Sequence, residues 1–522
     1  MSAASPLLAL LRVEFLLRAR RRGTLVVALA VWVLTWLMVA DPASGHALMA
    51  VHAHRLAYDS ATLAYGSASL GGLLLGLAGF YLARGRVQED LRSGMAGVLA
   101  ATPVRNTALL LVRALGALAY LLALAGVLML GTWALHALRG EGPWLPWVYL
   151  QHYTLMLLPP LVLAASLATL CDAWAPLTGR RGDVLYFLLW TLLLGLLPLN
   201  EQVHEAHPSL LLDFSGLATS VNRLVELLGT GDIAIGSHDF DASLPLLEFP
   251  PGLWTVDRVA LRLGSTVLAL LPLLPALWLF HRYDPERVRP RSASPARGRV
   301  GRWTARLVAP ATRLLGAMLP WGCRLPLGAG FAAVWAELLL SLISQPAALL
   351  WLLLAWLAPL AAAPEQLSLW QVGILAGWAL WAAELGARDG RQGGTADLAA
   401  ALPGGALRRS WSRWAAAWLL GLLGSATLLL RQSEGLPALA AGLAAASAAA
   451  VLLGRLSGGG RAFLALFLFW LFVAVQARSV AALDWMGFNG VAESSVPLLC
   501  LLAALLGMAG MAALTAAAQR RR

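Results

Sequence analysis

Apolar stretches of about 18 to 25 residues recur along nearly the whole chain, separated by short segments rich in arginine, glycine and proline. That is the length a helix needs to cross about 30 Å of hydrocarbon. Twelve spans are expected, in two sets of six. The first set falls near residues 24–40, 61–83, 107–137, 150–170, 184–199 and 256–281. The second falls near 346–363, 366–386, 411–430, 437–454, 462–477 and 497–518. The stretch over 107–137 is long enough to tilt or to extend past the bilayer. Each set opens on a shorter helix that is not a span. In PLLALLRVEFLLRARRR, residues 6–22, Glu14 and Arg18 lie four apart and share a face in the acid-first order. This segment reads as an interfacial helix on the inner leaflet, its arginines among lipid phosphates. GFAAVWAELLLSLISQP echoes it at the start of the second set, with Glu337 in place of Glu14 but without the basic cluster.

Composition agrees with that pattern. The chain is 59% hydrophobic and 13% charged, which excludes a soluble globular protein. No cleavable signal peptide is evident, because the basic cluster Arg18 to Arg22 follows an amphipathic segment and precedes a full-length apolar run. The net charge of +12 comes from 39 arginines without a single lysine. Those arginines gather at span ends, on one side if the count is right, which disfavours nucleic-acid binding and identifies the cytoplasmic side by the positive-inside rule. Both termini are therefore expected inside, in the cytoplasmic (inner) membrane of a bacterium. The expected organisation is an N-terminal interfacial elbow over 1–23, a first six-helix half over 24–281 with an outward loop at 200–255, a basic linker over 282–324 and a second half over 325–522. The linker's arginine- and proline-rich start has little apolar periodicity and is expected to be extended. It leads into a second set of the same topology, so the halves are expected to be parallel repeats.

The loop after the second span of each set carries the clearest internal likeness. The first copy is RVQEDLRSGMAGVLAATPVRNTALLLVR, Arg86 to Arg113, and the second is RDGRQGGTADLAAALPGGALRRSWSR, Arg388 to Arg413. At an offset of 300, Gly94 falls on Gly394, Pro103 on Pro403 and Arg113 on Arg413. Gly94 and Gly97 let the backbone turn sharply, and Thr102-Pro103 suits the start of the next helix. Between them, MAGVLAA is apolar enough to bury in a groove and short enough to stay out of lipid. Such a segment can pass a rigid-body push from a partner into two spans.

With its glutamate-bearing interfacial helix, six spans and a loop containing Glu89, Asp90, Ser93, Gly94, Leu99, Pro103, Val104 and Arg105, the chain resembles ABC-2 type exporter permeases. In the second set Gly393, Gly394, Asp397 and Pro403 remain, but no arginine directly follows the proline. The resemblance implies an all-α polytopic permease whose loops form coupling helices on two cytoplasmic ABC ATPase subunits. It also implies that ATP and Mg²⁺ are held by those partners and that an unidentified substrate is exported. The chain itself has no G-x-x-x-x-G-K-[ST] loop, since it has no lysine. No catalytic residue or bound cofactor is expected of it. The partly helical outward loop between the fifth and sixth spans, with Asp213, Asp232, His238, Asp239 and Asp241, is read as a lid or exit gate.

No metal site is assigned. His52-x-His54 and His204-x-x-His207 have acidic neighbours and are the available ligands. Cys171, Cys323 and Cys500 are too scattered for a cluster. Ionisable residues within spans are few, Glu384 among them, and form no chain of buried acids of the kind a proton-coupled carrier needs. A Gly72-x-x-x-Gly76 pair packs helices closely. The alternatives are such a carrier, or a membrane enzyme such as a lipid-linked glycosyltransferase using Asp41 and Asp59 with His46, His52 and His54.

Overall fold

The computed structural model describes residues 4–178, 180–196, 208–281, 299–326, 328–344, 346–391, 405–432, 435–457, 459–476 and 481–520. The chain is mostly helical and divides into two compact units, Met1–Pro290 and Arg291–Arg522. In the first unit α1 (Ala4–Ala19) and α2 (Arg22–Met38) meet at a bend of 70°. The corner falls at consecutive arginines, and the Thr24 hydroxyl donates to the Arg18 carbonyl at 2.6 Å across it. Next come α3 (Ser60–Ala83), the short α4 (Arg86–Arg92) and α5 (Met95–Ala101), then α6 (Asn106–Arg139), α7 (Pro146–Ala173) and α8 (Arg180–Leu196). Beyond them lie α9 (Leu217–Leu228), α10 (Val256–Leu268) and α11 (Leu273–Leu279). Asp59 caps α3 by accepting from the Thr62 amide at 2.7 Å. Helix α3 is the centre of the unit, buried along almost its whole length against α6 and α7. At Gly76 the Trp190 ring of α8 sits where a β-carbon would stand, and the Tyr186 hydroxyl donates to the Gly76 carbonyl. Close helix packing is thus what this glycine serves.

The second unit begins with α12 (Arg299–Met318) and α13 (Trp321–Arg324), followed by α14 (Gly328–Ser344) and α15 (Pro346–Ala361). The last two again form a bent pair, at 97°. Helices α16 (Leu367–Arg391), α17 (Gly405–Arg431), α18 (Leu436–Ser457), α19 (Arg461–Gln476) and α20 (Val496–Arg520) complete it. Each unit pairs its helices in the same way. In the first, α1 and α2 pack on α6, and α3 on α6 and α7; in the second, α14 and α15 pack on α17, and α16 on α17 and α18.

Three expectations change. The segment read as an extended linker turns helical from Arg299, because Leu307 and Leu314, and Val308 and Leu315, recur seven apart on two adjoining lines of one helix. Its earlier residues, 282–298, lie outside the described residues. All twelve expected spans coincide with helices, yet seven among the described residues are long and apolar enough to cross a membrane, or up to nine if each bent pair counts as one. Of the five that fall short, α16 has 25 residues, and the other four do so in length: α2 and α8 have 17 residues and α15 and α19 have 16. At 1.5 Å per residue such helices run about 24 to 26 Å. The third change is a small antiparallel sheet, order β2-β1-β3, from β1 (His46–Val51), β2 (His54–Arg55) and β3 (Ile233–Asp239). It joins the loop after α2 to the loop before α10. Leu48, Met49 and Ala50 are buried, so the backbone groups around them need partners, and the strand from the later loop supplies them.

Two buried arginines fasten that later loop to the helices. Arg262 of α10 donates from Nε to the Leu155 carbonyl at 2.8 Å and from Nη2 to the Phe214 carbonyl at 3.0 Å. Leu155 is free to accept because Pro159, four residues on, has no amide hydrogen. Asp213 is fully buried and accepts from the Gly216 and Thr219 amides and the Ser215 and Thr219 hydroxyls, each at 2.8 Å. Arg258 donates to the Thr219 carbonyl at 2.6 Å.

At the same end Arg55 grips Glu141 with two bonds of 2.8 and 2.7 Å, and Glu141 also accepts from the Tyr58 amide at 2.9 Å. The Arg55 bonds hold the Glu141 carboxyl below the usual carboxylate range. A lowered folded-state value contributes stability above the ordinary carboxylate pKa of about 4.3, lost as pH falls through the folded value. Protection of the Tyr58 amide from hydrogen exchange, corrected for the intrinsic rate, should therefore hold from pH 7 to about 5 and drop below about 4. In Glu141→Gln it should be weaker and flat over that range.

Candidate functional site

The arginine-rich end of the first unit holds a cluster of charges sealed from solvent. Glu14 of α1 is 6% exposed and its carboxylate meets Arg18 Nη1 at 2.7 Å, Arg86 Nε at 3.2 Å and Arg113 Nε at 3.8 Å. Asp90 of α4 is 1% exposed; it takes Arg86 Nη2 at 2.8 Å and is also bridged by Arg113 of α6. Glu89 completes the group at its rim, accepting from Arg86 Nη1 at 2.8 Å and pairing with Arg21. Three helices, α1, α4 and α6, thus converge on alternating charges. Stripping water from a lone guanidinium or carboxylate costs several kcal/mol, so groups this deep persist only when each faces an opposite charge.

The backbone holds the cluster from below. Gly85 adopts φ +99°, a left-handed turn that ends α3 and points the chain into α4. Asp172 of α7 accepts from the Gly85 and Arg86 amides at 2.7 and 2.9 Å, capping α4 from another helix. Arg84 is buried between Asp172, 3.7 Å away, and Asp183 of α8. A cavity of about 10 Å³ lined by Arg18, Arg86, Arg113, Thr169 and Asp172 has room for about one water.

On this base sits α5. Gly94, at φ +75°, breaks the helix after α4 and caps the next. Ala96 is buried and Leu99 half-buried against a core of Val87, Leu109, Leu110, Ala276 and Phe280. Met95 and Val98, one turn apart, are 46% and 58% exposed. The expected amphipathic turn is therefore a two-turn helix with apolar side chains on its open face. Thr102-Pro103 does not start the next helix. Proline drives Thr102 to ψ 149°, which ends α5, and α6 starts only at Asn106. Ser93, Pro103 and Arg105 are exposed along the loop.

The second unit contains a smaller version. Glu337 of α14 meets Arg388 of α16 at 2.7 Å and Arg413 of α17 at 3.5 Å. Arg388 also donates to the Ser341 hydroxyl at 2.9 Å. Gly393, Gly394, Asp397 and Pro403 lie outside the described residues.

Several sequence assignments move. Arg18 is 2% exposed and bonded to Glu14, so it does not lie among lipid phosphates. Asp90 is 1% exposed and faces inward as a brace. The sequence pattern gives no role to Arg86 or Asp172, and it marks Arg113 only by its offset match to Arg413. Arg113 had a signal: a charge eight residues inside an apolar helix, with no acid within one turn, must find its partner on another element.

The histidine and aspartate candidates of the loops disperse. His52 pairs with Asp232 at 3.2 Å, while His54 contacts the Pro245 carbonyl at 2.9 Å. His46 pairs with Asp239 at 2.6 Å. Among the described residues no group of three or more His, Cys, Asp or Glu side chains is placed to hold a metal ion. His204 and His207 lie outside those residues. Asp41 caps the turn at Pro42–Ser44 and Asp59 caps α3, each through one carboxylate oxygen. Cys171 and Cys500 are buried free thiols. No protein-family model, no curated protein and no solved structure matches this chain.

The burial contrast sets an expected order of stabilities. Glu14→Gln or Asp90→Asn strands a buried guanidinium and should cost about 3 to 5 kcal/mol. Glu89→Gln, at a rim position, should cost less than about 1 kcal/mol. Denaturant unfolding of the purified protein in detergent, followed by tryptophan fluorescence, measures all three.

Proposed function

We propose that this chain is the permease subunit of an ATP-driven ABC-2 type exporter of the bacterial inner membrane, built from two six-span halves with both termini cytoplasmic. The observation that carries the reading is the α5 face: Met95 and Val98 stand open on a short helix whose base is locked by buried ion pairs to α1 and α6 and by Asp172 to α7. An apolar face on a rigid lever, connected to several spans at once, is what a partner needs if its movement is to reach the membrane. The partners in this reading are two cytoplasmic ABC ATPase subunits, which hold ATP and Mg²⁺. Their closure on ATP pushes the loops at 86–105 and 388–405, and a path for the still unidentified substrate opens outward.

Duplication of a six-span half is supported by three devices found in each unit among the described residues. A glutamate on the helix before the bend pairs with an arginine after the second span and one within the third: Glu14 with Arg86 and Arg113, Glu337 with Arg388 and Arg413. The last arginine of the third span reaches carbonyls at the end of the first, Arg139 to Val39 and Arg431 to Pro359 and Ala362. A fully buried aspartate organises the loop before the sixth span, Asp213 in one unit and Asp484 in the other. Asp484 accepts from the Asn489 and Val491 amides at 3.1 and 3.0 Å. None of these devices follows from hydrophobicity alone, so their joint recurrence favours common descent of the halves.

Val98→Asp places a charge on the open face without touching the buried cluster. The expected result is normal membrane insertion and unfolding, with loss of at least about tenfold in retention of a lysine-containing P-loop ATPase on co-purification, the cost of stranding one charge in an interface. Equal retention by Val98→Asp and the parent chain would remove the coupling role from α5.

A further inference from the structure

Helix α12 carries an uncovered side that neither the fold nor the transport reading employs. Its covered side, Val308 with half-buried Ala309, Thr312 and Leu315, packs on α14 and α15. The opposite side presents Leu307 and Leu314, 53% and 64% exposed, with exposed Pro310, Ala311 and Ala317 beside them. Residues seven apart nearly superpose on a helix, so the two leucines form one line and Arg306 and Arg313, both exposed, form a second along its edge. From Arg287 to Arg324 the sequence holds nine arginines and no acidic residue, and the next acid is Glu337.

We propose that α12 lies in the membrane interface and binds anionic phospholipid headgroups, with Leu307 and Leu314 dipped among acyl chains and Arg306 and Arg313 on the phosphates. Two features choose lipid over a protein partner. The first is charge: an arginine border without a compensating acid complements a negatively charged leaflet, and long arginine stems let the heads reach up to it while the helix sinks. The second is continuity. The helices that α12 packs on carry open leucines of their own, Leu340 on α14 and Leu353, Leu354, Leu357 and Leu360 on α15. The helices in contact with α12 thus already need apolar surroundings for their open side chains. The inference requires a membrane chain but not an exporter, so it stands or falls apart from ATPase docking.

The test places a fluorophore at Leu314→Cys in full-length protein whose three native cysteines are replaced by alanine, reconstituted into bilayers of phosphatidylcholine with or without one quarter phosphatidylglycerol. Quenching by doxyl-labelled lipid reports immersion. The expected result is strong quenching with phosphatidylglycerol that weakens in high salt. Arg306→Glu/Arg313→Glu should lower the immersed fraction, since each arginine near an anionic surface is worth about fivefold in partition. Arg306→Lys/Arg313→Lys should retain it. The proposal is overturned if the label stays unquenched in both bilayers, or if charge reversal leaves quenching unchanged. It is equally overturned if the label is shielded only on adding an ATPase partner or at protein concentrations that pair copies of the chain, either of which makes the face a protein interface.

Discussion

Pairing of buried charge is the constraint from which the rest of the first unit follows. Arg113 sits eight residues into a long apolar helix and cannot reach water, so Glu14 and Asp90 must be brought to it. Meeting that need fixes the rotation of α1 against α6, the point where α3 ends, and the left-handed turn at Gly85 that carries α4 back over the cluster. The exposed α5 inherits its rigidity from the same network. Removing one partner would leave a guanidinium stranded among apolar side chains, so the members of the cluster hold one another in place.

Arginine does this work throughout. Its planar fork can satisfy several acceptors at once, and it stays charged even when buried. Arg262 bonds three carbonyls, one of them released by a proline in the neighbouring helix. Arg139 and Arg431 close the ends of other helices, where the last carbonyls have no partner of their own. Backbone groups that would be costly in an apolar setting are thereby paired by side chains from a different segment. The small sheet does the same for two loops that hydropathy treats as unrelated.

Legibility in the sequence varied with the kind of interaction. Hydropathy located helical segments at each expected position, of which seven to nine are long and apolar enough to span, because runs of leucine and alanine are a matter of local composition. The bends before α2 and α15 were legible from charge clusters and from the glutamates. The turn at Gly94 was legible because its backbone conformation suits glycine. Thr102-Pro103 was misplaced: the same dipeptide can open or close a helix, and only the position of Asn106 decides. The helix at Arg299–Met318 was hidden because its arginines and glycines mask a seven-residue period in a stretch dominated by turn formers.

The sequence alone determined a chain of long apolar helices with arginines at their ends, two bent openings and a loop able to stand clear of the rest. Those are short-range properties, set by each segment's own side chains and backbone preferences. Tertiary structure decided which charges meet. Glu14 meets Arg18 four residues on, as its spacing allows, but its other partners, Arg86 and Arg113, lie 72 and 99 residues away. It also decided that Asp90 faces inward while Val98 faces out, and that β1 pairs with a strand nearly two hundred residues later. Such pairings depend on three-dimensional proximity, which no local pattern of residues encodes.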